Sequence, residues 1–207
     1  MYSPPAFRVT DRDRIREVVD ADSFATLISP ATPLPLVTHA PLQWDESRSV
    51  LIGHIARANP HAAALHDGAA AMAIFHGAHG YVSPTWYVDE NATVPNVPTW
   101  NYATVHFAGT VKRIDDDEGK WRIVHALSAQ YEAGRDPAWQ SATRDRHASK
   151  LSAIVGFEIA IVSIDAKFKL SQNRSQRDQE SVIAQLQESA HPDAQTMARW
   201  MRENLTA

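Results

Sequence analysis

Cysteine is absent from all 207 residues, which excludes disulfides, thiolate zinc sites, iron–sulfur clusters and thiol nucleophiles. No apolar run approaches the roughly 18 residues of a membrane span. The opening MYSPPAFRVTDRDR lacks the hydrophobic core of a signal peptide. Positive charge is in short supply: 20 Lys and Arg stand against 24 Asp and Glu, a formal net charge of -4. No global positive field therefore draws the chain to nucleic acid. Also missing are a Walker loop, GxGxxG, a GxSxG elbow and an HExxH zinc frame. These absences predict a soluble, cytoplasmic protein with no membrane partner. What remains, 44% hydrophobic and 21% charged, is ordinary globular composition, and we expect one domain over residues 1–207.

The apolar spacing gives the element order. Thr10 and Asp11 offer N-caps to a helix whose apolar positions are Ile15, Val18 and Val19. Phe24 to Ile28, Leu34 to His39 and Ser49 to Ile55 are short runs between Pro, Asp and Ser, which is the pattern of a meander. Ile55 to Leu65 reads as a short helix interrupted at Asn59-Pro60. Ala69 to Phe75 and Tyr81 to Tyr87 read as two further strands. Thr99 to Ile114 is the clearest strand, followed by an acidic run, Asp115 to Gly119, expected at a hairpin tip. Ile123 to Ala133 reads as a helix ended by Gly134 and Pro137. Ile154 to Lys169 is a long strand. From Ser175 two amphipathic helices follow, divided near His191-Pro192-Asp193, with Val182, Ile183 and Leu186 on one and Met197, Trp200, Met201 and Leu205 on the other. The total is six or seven strands with peripheral helices. The predicted fold class is an α+β β-barrel with helices at its ends, those from about residue 175 to 205 packing on the barrel or on a second subunit.

Three strings carry more chemistry than a core needs. GHIARANP (Gly53 to Pro60) places Arg57 and Asn59 after a strand, where turn amides and a guanidinium suit a phosphate; an ordinary surface arginine is the rival reading. VPTWNY (Val97 to Tyr102) offers the Trp100 ring for stacking and the Asn101 amide for a polar ring edge, against a core tryptophan with a turn asparagine. KLSQNR brings Lys169, Ser171, Gln172, Asn173 and Arg174 together at a strand end, where a solvated turn is the alternative. Together they supply groups for a flat, phosphorylated, heteroaromatic ligand. Among the ten histidines, His76 and His79 lie three apart, but no third ligand accompanies them, so no metal is predicted. The C-terminal helices form a poor reading head for DNA, since Asp178, Glu180 and Glu188 outweigh Arg177 over Gln176 to Ser189.

MYSPPAF, THAPL (Thr38 to Leu42), GHIARANP, IFHGAHGYVSPTWY (Ile74 to Tyr87), VPTWNY and AIVGFEIAI followed by KLSQNR resemble the PaiB-type proteins, FMN-binding negative transcriptional regulators. The match runs in order from Tyr2 to about Leu186. The resemblance implies an FMN-binding split β-barrel of the pyridoxamine-phosphate-oxidase-like class, a homodimer with flavin in the groove between subunits. It further implies that Arg57 meets the FMN phosphate and that His54 and Asn59 shape the turn. Trp100 and Asn101 would line the ring site, with Lys169, Ser171, Gln172 and Arg174 closing it from one subunit or the other. Ala40 departs from the family, which more often has a bulky aliphatic there. Three functions fit. The first is a regulator sensing metabolic or redox state, alone on DNA or through a DNA-binding partner. The second is an FMN-dependent oxidoreductase on a small substrate, with His39, His79 and Tyr102 as conceivable proton donors. The third is a haem-binding barrel using one histidine as axial ligand.

Overall fold

The computed structural model describes residues 1–91, 95–132 and 150–206. Its strands are β1 (Arg8–Val9), β2 (Phe24–Ser29), β3 (Leu36–Asp45), β4 (Val50–Ala56), β5 (Ala70–Val82), β6 (Thr99–Ile114) and β7 (Ile154–Lys169). Among the described residues the α-helices are α1 (Arg12–Ala21), α2 (Asp117–Glu132), α3 (Gln176–Gln187) and α4 (Pro192–Thr206). The strands pair in the order β1-β7-β4-β3-β2-β5-β6, and a further β7–β6 pairing closes β2 to β7 into a six-stranded antiparallel barrel. Closure leaves none of the six with an unpaired edge.

The chain divides into two units, with β5, β6 and β7 contributing residues to both. One comprises Asp22–Phe75 and His106–Ile164. Its core is built from the inward positions of alternating strands. Leu27, Leu42, Leu51 and Phe157 are fully buried, and Phe107 meets Trp44 edge-on at 5.2 Å and Phe75 at 5.5 Å. Gly53 of β4 lets the Leu42 side chain pack close, because a Cβ there would collide with it. In this unit α2 buries Ile123 and Leu127 against Ile114.

The second unit comprises Met1–Ala21, His76–Val105 and Asp165–Ala207. Here α1 starts where the Asp11 carboxylate accepts from the Asp13 N–H at 2.9 Å, and it buries Ile15, Val18 and Val19. Trp200 of α4 stacks on Phe168 at 5.6 Å, while its indole N–H donates to Glu17 at 2.6 Å. Ser175 caps α3 by accepting from the Asp178 N–H.

Several expectations change. Ile55 to Leu65 is not a helix: β4 runs to Ala56, and only a 3-10 turn, Pro60–Ala63, follows, because Asn59-Pro60 stops the chain after a strand. The two strands expected at Ala69 to Phe75 and Tyr81 to Tyr87 are largely one, β5, which passes through Gly77 and Gly80; a 3-10 turn, Pro84–Trp86, follows it. The acidic run is not a hairpin tip. Asp116 accepts from the Gly119 N–H at 2.7 Å, and Asp117 and Glu118 form the first turn of α2, where negative charge favours a helix. The expected stop at Gly134 and Pro137 lies outside the described residues.

Candidate functional site

His54, Arg57 and Asn59 lie in the first unit. Asn59 caps the Pro60–Ala63 turn by accepting from the His61 N–H at 2.9 Å, and its amide donates to Thr38 Oγ1 at 3.1 Å. The same hydroxyl lies 2.9 Å from His61 Nδ1, so Thr38, Asn59 and His61 form one network. His61 was not singled out from the sequence; it is 1% exposed, and burial holds its pKa below the ordinary histidine value. Burial also lowers the pKa of His54, which lines a cavity of about 240 Å³ with Pro41, Leu127 and Tyr131. Arg57 donates Nε to the Ser152 carbonyl at 2.9 Å. Its Nη2 donates to the Ile154 carbonyl at 3.0 Å and to the Asp115 carboxylate at 3.1 Å. Asp115 is shared with Arg113, and these two guanidinium groups, Arg113 first, hold its carboxyl below the usual range. Arg57 therefore already has an anion and two carbonyls.

Trp100, Asn101, Lys169, Ser171, Gln172 and Arg174 come together in the second unit. The pleat separates the Trp-Asn pair. Trp100 is 52% exposed, with ring centroids of His79 and Tyr81 each 5.9 Å away, whereas Asn101 is fully buried. The Asn101 amide donates to Ser171 Oγ at 2.9 Å and points at Met201 Sδ at 3.3 Å. Gln172 folds back on its own turn, accepting from the Leu170 N–H at 2.7 Å and donating to the Phe168 carbonyl at 2.6 Å. Ser171 takes a positive φ of 63° to make that turn. Much of the donor density of KLSQNR thus builds the chain reversal, and Asn101 and Ser171 satisfy one another.

Two side chains of the string remain turned to other chemistry. Lys169 Nζ donates to Thr99 Oγ1 at 2.8 Å and to the Trp100 carbonyl at 2.7 Å. Arg174 donates to Asn96 and to the Pro95 carbonyl, and its guanidinium lies 4.2 Å over the Tyr87 ring. Sequence reasoning missed a third cation, Lys167, although its place two residues before Lys169 puts both on one face of β7. Lys167 is 8% exposed; its ammonium lies 5.2 Å over the Tyr102 ring, 5.7 Å over the Tyr2 ring and 3.4 Å from the Tyr2 carbonyl. Both lysines meet neutral oxygens or rings. Desolvation first, then Lys167 and Arg174, depress the Lys169 pKa. A cluster of cations under mutual repulsion, walled by aromatic rings, is suited to an anionic, ring-bearing ligand.

A closed six-stranded barrel with peripheral helices is the split β-barrel architecture of flavin-binding proteins. Residues 1–163 match the family model described as "Putative FMN-binding domain", and the chain belongs to that family, with FMN as its cofactor. The chain is 35% identical over 209 residues to the Protease synthase and sporulation protein PAI 2 of Bacillus subtilis, covering 99% of this chain and 98% of that protein. It is also similar to the uncharacterized protein AN0679 of Emericella nidulans, at 30% identity over 82% of this chain and 80% of that one. Among solved structures, the FAD and heme binding protein from Mycobacterium smegmatis superposes with a TM-score of 0.61 at 21% identity, covering 78% of this chain and 73% of that one. The flavocytochrome Anf3 from Azotobacter vinelandii gives 0.62 at 17% identity, over 78% and 69%. At these identities the two structures bear on the fold alone.

Proposed function

We propose that the chain is a homodimeric FMN-binding protein of the PaiB type that acts as a negative transcriptional regulator, its flavin sensing metabolic or redox state. The observation that carries the placement of the flavin is the group of Lys167, Lys169 and Arg174. A buried ammonium whose partners among the described residues are rings and a carbonyl is costly, and an anion beside it offsets that cost. Lys169 and Arg174, backed by Lys167, hold the anionic part of FMN, and the Trp100 face takes a planar ring. Asn101, Ser171 and Gln172 support that surface by fixing the strand end. His54, Arg57 and Asn59 keep a place in the proposal as the polar end of β4, with Arg57 reaching a phosphate only in competition with Asp115. When bound, FMN supplies one- and two-electron chemistry; the chain supplies position, charge and exclusion of water.

Dimerisation is supported by apolar side chains left outside in the first unit: Phe24 and Val37 on β2 and β3, and Leu34 between them, are all more than half exposed. The relative's name, a sporulation protein, supports a regulatory role. The net charge of -4 supports repression through a DNA-binding partner over direct DNA contact. The test pairs solution mass with transcript levels. A dimer that loads FMN, and derepression on Lys169→Ala in the cell, are expected; a monomer, or unchanged transcripts when the chain is deleted, overturns the proposal. An FMN-dependent oxidoreductase is the second reading, favoured by a cavity lined by Trp100 and by His79, whose imidazole pairs with the Asp193 carboxylate behind it. Bleaching of bound FMN by NAD(P)H and its recovery with an added acceptor distinguish it.

A further inference from the structure

In the second unit β5, β6, the Pro84–Trp86 turn and the facing ends of α3 and α4 enclose a cavity of about 280 Å³. Its walls include His79, Tyr81, Trp86, Trp100, Leu186 and His191. Four rings run in series along it. The His191 and His79 centroids are 6.3 Å apart, His79 and Trp100 5.9 Å, and Trp100 and Tyr81 5.9 Å with the planes at 72°. Tyr81 and Trp100 are 44% and 52% exposed, so large aromatic faces are left wet in a concave place.

Among the described residues no lysine, arginine or carboxylate lines the cavity, which disfavours a phosphate or a dicarboxylate as occupant. The ionisable groups that line it are the imidazoles of His79 and His191 and the Tyr81 phenol. Asp193, on the first turn of α4, stands 3.3 Å from His79 Nδ1. In neutral His79, that carboxylate draws the proton to Nδ1 and leaves Nε2 an acceptor. Gly80 also lines it, and its missing side chain lets Leu186 Cδ2 come within 3.0 Å of where a Cβ would stand. Volume, ring walls and an oriented acceptor define a ligand class.

We infer that this cavity binds a small, uncharged, planar aromatic molecule of one or two rings carrying one hydroxyl or ring N–H, a phenol or an indole, which stacks among Trp86, Trp100 and Tyr81 and donates to His79 Nε2. The inference goes beyond the flavin site: Trp100 borders both, but the occupant is a separate molecule and needs no flavin to bind.

The experiment is a titration of the full chain with 2-naphthol, with and without FMN, followed by calorimetry and ligand-observed saturation transfer. Saturable binding with a dissociation constant on the order of 0.1 mM is expected. Trp86→Ala is expected to weaken it about tenfold and His79→Ala about fivefold, while Val162→Ser, on an exposed site of the other unit, leaves it unchanged. Thermal melts of each variant establish that it is folded. Absence of saturation at millimolar 2-naphthol overturns the inference. So does strict competition between 2-naphthol and FMN, which would make the cavity the flavin's own seat. A chain that binds 2-naphthol but not FMN upholds this inference and refutes the flavin placement instead.

Discussion

Removing the Asp178 carboxylate is a severe test of how the second unit is held together. Asp178 is 0% exposed in the first turn of α3, and its Oδ1 accepts from the backbone N–H groups of Val88 at 2.8 Å and Asp89 at 2.9 Å. One side chain thus ties the segment after Tyr87 to a helix start. Asp178→Ala leaves two part-buried donors without that acceptor. At about 1–3 kcal/mol for a fully buried stranded group, and less where water reaches, the loss is about 2–4 kcal/mol. Against a total stability of about 5–15 kcal/mol for a typical domain, that is a large share. Asp178→Asn keeps an oxygen in place but loses the charge assistance, and about 1–2 kcal/mol is expected. Urea unfolding followed by circular dichroism at pH 7 reads both, with the slope against denaturant unchanged. Because Tyr87 carries the Arg174 guanidinium, the proposed flavin placement also predicts weaker FMN binding by Asp178→Ala. A loss below about 1 kcal/mol for Asp178→Ala, or equal losses for both variants, refutes the reasoning.

Gly109→Ala drives a Cβ into the backbone of Ala160 on the adjacent strand, so a loss of about 3 kcal/mol or a failure to accumulate is expected, read by urea unfolding. Asn101→Ala removes the amide partner of the buried Ser171 hydroxyl and costs about 1–2 kcal/mol, while adding Ser171→Ala recovers part of it in a double-mutant cycle. Burial depresses the pKa of both His54 and His61, so the unfolded chain binds more protons than the folded one below the ordinary value. Stability is therefore full above about pH 6.5 and falls as pH drops from there through the depressed values; His61→Gln should flatten that slope in melts from pH 7.5 to 5.

Much of the barrel was legible because long strands repeat a simple pattern. β6 and β7 begin and end where alternation predicts, at Thr99 to Ile114 and Ile154 to Lys169. The helical stripes of α1, α3 and α4 were equally plain, since Ile15, Val18, Val19, Val182, Ile183, Met197 and Trp200 all point inward. The misreadings arise where local spelling serves a distant contact. Gly77 and Gly80 look like strand breakers, but they let Trp200 and Leu186 approach a continuous β5. The acidic run carried a helix-start signal in Asp116, Asp117 and Glu118, which a turn interpretation overlooked. The candidate site was legible by composition and not by pairing. KLSQNR is rich in donors, yet no spacing rule announces that Ser171 will meet Asn101, 70 residues away, or that Arg57 will meet Asp115, 58 residues away. Lys167 escaped because a lysine in an alternating strand reads as solvated. Its burial comes from Tyr2 and Tyr102, brought to it by the fold.

The most direct test of the flavin placement is a titration of FMN into the wild-type chain, Lys169→Ala and Arg57→Ala, read by flavin absorbance and fluorescence. The account predicts saturable binding to the wild type, weakened about tenfold or more by Lys169→Ala and less than about threefold by Arg57→Ala, whose guanidinium is already met by Asp115. Undiminished binding by Lys169→Ala with loss of binding by Arg57→Ala would contradict it and place the cofactor at the end of β4.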